Sequence, residues 1–306
     1  MKSKKYEAFY QKLGLLKNHK HKKEHLNNLI KNNQTNDLLD FTKQVVVIND
    51  ELAKKEEIHI HDKNFNKKII SLKDISLFYK RLYHPVYVIF DNLNLDIYDE
   101  QTTCIVGPNG IGKTTLFELI IQVKKPNKGQ VIFYDDAIKK NPYKYISMQT
   151  QDFNFPTGLL VKDVVEFIIE LQQIDISKNI GEYKRMLRIF QLDKIWLNKA
   201  SKLSGGQQQR LNLFISLLNH PKVLLLDEYA TGLDIKTKEL IENFLLNYIK
   251  TYKTTLLFIS HELDGLTQYA NRYVILSDHH VIVDLSKEEV IKRFESVNNL
   301  IKYYVN

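Results

Sequence analysis

Apolar positions along this chain change their period from one region to the next. Near the N-terminus, Tyr6, Phe9, Tyr10 and Leu13 recur at i, i+3, i+4 and i+7 and predict one stripe of a helix. Leu26, Leu29 and Ile30 resume that stripe after a charged stretch. Leu38, Leu39 and Phe41 precede the run Val45-Val46-Val47-Ile48, a buried strand or short helix, and Glu57–His61 alternates like a strand. From residue 69 onward the runs are strand-length and continuous: Ile69–Leu72, Thr102–Val106, Val223–Leu226 and Thr255–Ile259. An apolar run without alternation suits a central parallel strand covered on both faces. Helical runs lie between them, at Leu116–Val123, at Val164, Phe167, Ile168 and Leu171, and at Leu211–Leu218. Ser286-Lys287-Glu288-Glu289 has the capping-box spacing and predicts a C-terminal helix carrying Val290, Ile291 and Phe294. No run approaches the ~18 apolar residues that cross a bilayer, and the N-terminal stretch lacks the unbroken apolar core of a secretion signal. Work at a membrane would therefore need another chain to make the crossing.

Composition narrows the class. A length of 306 residues suggests two domains, or one large domain with an appendage. Hydrophobic residues at 43% and charged residues at 26% exclude global disorder. The single cysteine, Cys104, excludes an intrachain disulfide and any multi-cysteine metal cage, and it fits a reducing, cytoplasmic setting. The net charge of +8 is uneven: residues 1–31 hold nine Lys and two Glu, a net of +7, which leaves +1 for the rest. A nearly neutral body gives no electrostatic basis for nucleic-acid binding. The basic head is either a solvated extension with a few anchoring contacts or an amphipathic helix resting on an anionic membrane surface or a partner. His59 and His61 would share a strand face, but no carboxylate or Cys cluster accompanies them as a metal set.

Val106 runs into Gly107-Pro108-Asn109-Gly110-Ile111-Gly112-Lys113-Thr114-Thr115, which matches G-x-x-x-x-G-K-S/T between a strand and a helix. Glycines allow the positive φ angles that turn several N–H groups toward one point, and the helix start adds its positive end there. Lys113 would reach β- and γ-phosphate oxygens, and Thr114 would offer its hydroxyl to Mg²⁺. Val223–Leu226 ends in two acids. Asp227 is placed to hold Mg²⁺, and Glu228 is the candidate general base for an attacking water. Thr255–Ile259 leads to Ser260 and His261, which would touch the γ-phosphate or hold water and Glu228 in place.

Between loop and acids lies Leu203-Ser204-Gly205-Gly206-Gln207-Gln208-Gln209-Arg210, followed by a helical run. A serine and two glycines at a helix start form a second anion site. These residues resemble the signature of the ATP-binding cassette (ABC) ATPase family, and the resemblance spans roughly residues 69–284 with five motifs in that family's order. It implies an α/β fold: a P-loop NTPase (RecA-like) core with a mainly parallel sheet, an antiparallel β subdomain and a helical insertion. The implied boundaries are a basic extension 1–66, a nucleotide-binding domain 67–284 and a helical tail 285–306. Within the domain, residues 67–149 and 206–284 form the core and 150–205 the helical part.

The resemblance also implies roles. Gln151 looks like the family's glutamine, which touches Mg²⁺ or water and relays to a membrane partner, with Gln149 as its rival. Tyr79 resembles the aromatic residue that stacks on adenine, with Tyr83 as the alternative. Ser204, Gly205, Gly206 and Gln207 would cover ATP bound to a second cassette subunit, identical or paralogous, and Asp234 in Thr231-Gly232-Leu233-Asp234 would cross that interface. The implied function is ATP hydrolysis coupled to solute movement through an integral membrane permease. The chain would sit in the cytoplasm, peripheral on the inner face of the cell membrane. A second reading is a non-transport ABC ATPase acting on nucleic acid or the ribosome through the basic head. The long internal coiled coils or paired cassettes of such proteins are absent from this sequence. A silent regulatory module is opposed by the intact Lys113, Asp227, Glu228 and His261. Three positions depart from the common pattern: Asp99 stands where glycine is frequent, Tyr229 where proline is, and Ile111 where a small polar residue is. An aspartate tolerates left-handed turn geometry, so Asp99 is expected to cost little.

Overall fold

A computed structural model of the chain describes residues 67–80, 86–150, 155, 157–260 and 265–305. The expectations for residues 1–66 and for Tyr83, Gln151 and His261 fall outside these residues. The chain divides into two units, one of residues 1–64 with 176–185, the other of 65–175 with 186–306.

In the larger unit, strands β1 (Lys68–Tyr79), β2 (Tyr87–Tyr98) and β4 (Lys128–Phe133) form an antiparallel sheet in the order β2-β1-β4. Strands β3 (Thr102–Val106), β5 (Ile146–Gln149), β6 (Val223–Asp227), β7 (Thr255–Ile259), β8 (Arg272–Ser277) and β9 (His280–Ser286) form a second sheet, ordered β5-β6-β7-β3-β8-β9. Every neighbour pair in it is parallel except β8 with β9. All five residues of β3, β6 and β7 are buried, which is why their sequences show no alternation. Helix α1 (Lys113–Ile120) follows β3, and its Leu116, Phe117, Leu119 and Ile120 join residues of both sheets in one core.

Between β5 and β6 the chain is helical: α2 (Val161–Leu171), α3 (Ile180–Ile189) and α4 (Gly205–Leu217). Helix α5 (Ile235–Tyr252) links β6 to β7, and α6 (Lys287–Phe294) and α7 (Val297–Val305) close the chain. The box at α6 forms as expected: the Glu289 N–H donates to Ser286 Oγ at 3.2 Å and the Ser286 N–H to Glu289 Oε2 at 3.0 Å. Among the described residues no helix is long and apolar enough to cross a membrane.

Three local expectations are corrected. Helix α1 stops at Ile120 rather than running to Val123, because Gln122 turns left-handed at φ 60°. Helix α2 buries Val161, Val164, Val165 and Ile169, while Phe167 and Leu171 stay 59% and 66% exposed. The buried set is spaced i, i+3, i+4 and i+8, a second apolar stripe of the same helix, and backbone bonds from Val161 N–H to the Asn198 carbonyl and from Lys162 N–H to the Trp196 carbonyl dock its first turn. In the turn after β2 the left-handed residue is Glu100, at φ 55°, not Asp99. The Glu100 N–H donates to Thr255 Oγ1 at 2.9 Å, and Asp99 pairs with Lys67 at 3.3 Å.

The two sheets are joined by Arg272 on β8, which is 7% exposed. Its guanidinium donates to both Asp284 oxygens at 2.5 Å, to the Asp96 carbonyl at 2.7 Å and to Gln101 Oε1 at 3.2 Å, and lies 5.1 Å from the Tyr98 ring centre.

Candidate functional site

Strands β3, β5, β6 and β7 all run the same way, so the loops at their carboxyl ends gather on one side of the sheet, where open α/β sheets bind ligands. The loop after β3 holds the phosphate-binding pattern, and two of its glycines are sterically required. A Cβ on Gly107 would lie 2.5 Å from the Leu276 carbonyl oxygen. Gly112 has φ 105°, and a Cβ there would lie 2.7 Å from Ile89 Cγ2 and 3.0 Å from the Phe90 ring. Gly112 occupies the N-cap of α1, where no side chain caps the helix and no acidic residue stands in the first turn. The first-turn N–H groups thus have no side-chain acceptor at the cap, and the end of α1 keeps its positive character toward the loop. Pro108, Asn109, Gly110 and Ile111 complete the loop, with the Ile111 N–H donating to the Pro108 carbonyl at 3.4 Å. The side chain of Ile111 packs against the core.

Lys113 is 7% exposed, and its ammonium donates to the carbonyls of Gly107 at 2.8 Å and Pro108 at 3.0 Å. Burial pulls its pKa below the ordinary lysine value, and the negative charges of Glu228 and Asp227 partly offset that pull. One residue on, Thr114 Oγ1 donates to Asp227 Oδ2 at 2.6 Å, across 113 positions of sequence. The strand order places β7 between β3 and β6, so this bond spans the carboxyl end of β7. A hydroxyl and a carboxylate are hard oxygen donors and fit Mg²⁺. Among the described residues no three His, Cys, Asp or Glu side chains gather as a metal set. Thr115 follows within α1.

Asp227 is 2% exposed at the end of β6. Glu228 follows it in a left-handed backbone, φ 50°, a region costly for a residue with a Cβ. Its N–H donates to the Ile259 carbonyl at 3.3 Å, and its carbonyl accepts from Gln209 Nε2 at 3.0 Å.

Ser204 caps α4. Its Oγ accepts from the Gln207 N–H at 3.4 Å, and Gln207 Oε1 accepts from the Ser204 N–H at 3.0 Å. The N–H groups of Gly205 and Gly206 have no carbonyl four residues back within the helix, which leaves them for an anion. Ser204 and Gly205 are exposed. Gly206 is pressed against the next loop, since a Cβ there would lie 2.6 Å from the Gly232 carbonyl oxygen. Asp234 ends that loop and caps α5, accepting from the Thr237 N–H at 3.0 Å, and hydrogen bonds from the Thr237 side chain and then its N–H lower its pKa.

Tyr79 ends β1 at 43% exposure, with Lys124 Nζ 5.9 Å from its ring centre. Gln149 is wholly buried. Its Nε2 donates to the Thr150 carbonyl at 2.8 Å, and its Oε1 has no hydrogen-bond partner among the described residues. Three features carried no legible signal. Gln209 and Asn212, which donates to the Thr150 carbonyl at 2.8 Å, sit in the signature helix with nothing to set them apart from their neighbours. Tyr229 reaches Glu242, thirteen residues away on α5. Cys104 is wholly buried, which pushes its thiol up to about 12 and leaves it inert.

A family model described as ABC transporter matches residues 90–231. The spermidine/putrescine import ATP-binding protein PotA of Bacillus anthracis is 29% identical over 225 residues, covering 70% of this chain and 69% of that protein. PotA of Mannheimia succiniciproducens is 30% identical over 237 residues, covering 77% of this chain and 61% of that one. Among solved structures, a dimeric post-hydrolysis state of an ATP-binding cassette bound to ADP and Pi is similar. It is 26% identical with a TM-score of 0.62, over 71% of this chain and 98% of its own.

Proposed function

We propose, on the premise that the chain belongs to the ABC ATPase family, that it is the ATP-hydrolysing subunit of a transporter and drives a separate membrane subunit. The observation that carries this is the meeting of the phosphate loop with the acidic strand end, where Thr114 and Asp227 lie 2.6 Å apart. The loop from Gly107 to Thr115 would wrap the β- and γ-phosphates with N–H groups, and Lys113 would exchange its two carbonyls for phosphate oxygens. Thr114 and Asp227 would hold Mg²⁺, which when bound neutralises phosphate charge. Glu228 would draw the proton from the attacking water, with His261 positioned against the γ-phosphate. Tyr79 would stack on the adenine. The complete burial of Gln149 makes Gln151 the better candidate for the relay glutamine.

ATP would be closed over by Ser204, Gly205, Gly206 and Gln207 of a second cassette, with Asp234 at the interface. A triphosphate with water excluded needs donors on both sides, so closure depends on bound ATP and opening follows hydrolysis. We place the nucleotide-binding domain at residues 67–284, with its helical part at 150–205, and the chain at the inner face of the membrane. Residues 1–31, at a net +7, would add contact with anionic lipid. The test is Glu228→Gln. Turnover is expected to fall about a hundredfold or more while ATP stays bound in a trapped dimer. Hydrolysis at the wild-type rate would remove Glu228 from the role of base.

A further inference from the structure

We infer that Tyr229 and Glu242 are positioning residues for hydrolysis, acting as a buried strut that holds Glu228 in its left-handed backbone. This rests on Glu228 being the general base. A residue with a Cβ at φ 50° stays there only when its surroundings over-determine it. Direct anchors on Glu228 include its N–H held by the Ile259 carbonyl on β7, and its carbonyl held by Gln209 on α4 and by the Thr231 N–H at 3.1 Å. A further anchor acts through the next residue. Tyr229 is 4% exposed, and its hydroxyl donates to Glu242 Oε1 at 2.5 Å. Glu242 is itself 8% exposed on α5. A tyrosine ring has few rotatable bonds, so a hydroxyl fixed at its far end fixes the peptide at its near end.

The same carboxylate also lies against the backbone at Gly265. Gly265 has φ 66°, and a Cβ on it would overlap Glu242 Oε1. Gly265 is the first described residue after 261–264, which include His261. One buried carboxylate thus abuts both Tyr229, the residue that follows the base, and Gly265. A proline at position 229 could not make this bond. The departure from the common pattern is here a structural element rather than a tolerated variant.

The test uses the full chain, with Mg-ATP hydrolysis and equilibrium Mg-ATP binding measured for Tyr229→Phe, Glu242→Gln, Glu242→Leu and Glu228→Gln. Displacing a base by a fraction of an ångström slows chemistry without loosening phosphate contacts, so Tyr229→Phe is expected to lower kcat about tenfold with KM within about twofold. Glu242→Leu, which removes the acceptor, should match it. Glu242→Gln keeps an oxygen acceptor and should retain kcat within about threefold. If Glu228→Gln is inactive while Tyr229→Phe and Glu242→Leu keep the wild-type kcat, the strut is refuted and the base stands. If kcat and Mg-ATP affinity fall together in both strut variants, the pair only supports the fold and the inference is wrong. If Glu228→Gln itself turns over normally, the underlying reading of the base fails.

Discussion

Two adjacent glycines in the signature allow stability and catalysis to be separated. Gly205 is the first residue of α4, and a Cβ on it would meet no heavy atom within 4 Å. Replacing it with alanine reduces unfolded-chain entropy and favours the helix, by about 0.5–1 kcal/mol. The melting temperature should hold or rise by about 1–3 °C. That open space is where the proposed partner's phosphates would lie, so the added methyl obstructs an N–H to phosphate bond worth about 1.5–3 kcal/mol. Hydrolysis should fall by about one to two decades. Gly206→Ala provides the contrast. Its Cβ would sit 2.6 Å from the Gly232 carbonyl, an obstacle made of backbone, and such overpacking costs about 1–3 kcal/mol. Thermal melting and phosphate release at saturating Mg-ATP read both quantities. The expected order of stability is Gly205→Ala, wild type, Gly206→Ala, with both variants slow. A Gly205→Ala protein that hydrolyses ATP at the wild-type rate would show that the signature turn meets no phosphate.

Two further outcomes follow from the described structure. Arg272→Met removes four hydrogen bonds around a residue 7% exposed. Asp284 is 40% exposed and can rehydrate, so the loss should be about 2–3 kcal/mol, seen as a melting temperature lower by about 5 °C or more. Asp193 is raised in pKa by burial, and its Oδ1 has no hydrogen-bond partner among the described residues. A carboxyl that holds its proton more tightly when folded loses stability as pH rises from about 3.9 through its folded pKa. Asp193→Asn should therefore melt higher than wild type at pH 7, and the gain should vanish below about pH 4; a constant difference across that range would show that ionisation is not the cause.

What the sequence made legible follows from which forces are local. Glycine geometry and strand burial are written in consecutive residues, so the phosphate loop, the buried strands β3, β6 and β7, and the box at Ser286 could all be read directly. Helix α2 was read as a helix, but its apolar residues offer two overlapping stripes, and the buried one carries Val161, Val164, Val165 and Ile169 rather than Phe167 and Leu171. Thr114 and Asp227 were each read as Mg²⁺ ligands, so their meeting agrees with that reading, while nothing at Tyr229 or Glu242 announces the bond between them. Gln149 is buried at the end of β5, a property of its place in the sheet that its side chain does not announce.

The most direct measurement is complementation between two inactive proteins. Lys113→Ala damages only the phosphate loop and Ser204→Arg only the signature, so each alone should hydrolyse almost no ATP. If one nucleotide is held between the loop of one chain and the signature of another, a mixed dimer carries one doubly damaged site and one intact site. Mixing the two proteins in equal amounts should then restore about a quarter of the wild-type rate, from half the dimers each with half their sites. A mixture as inactive as its components, under conditions where the wild type hydrolyses ATP, would contradict a shared site.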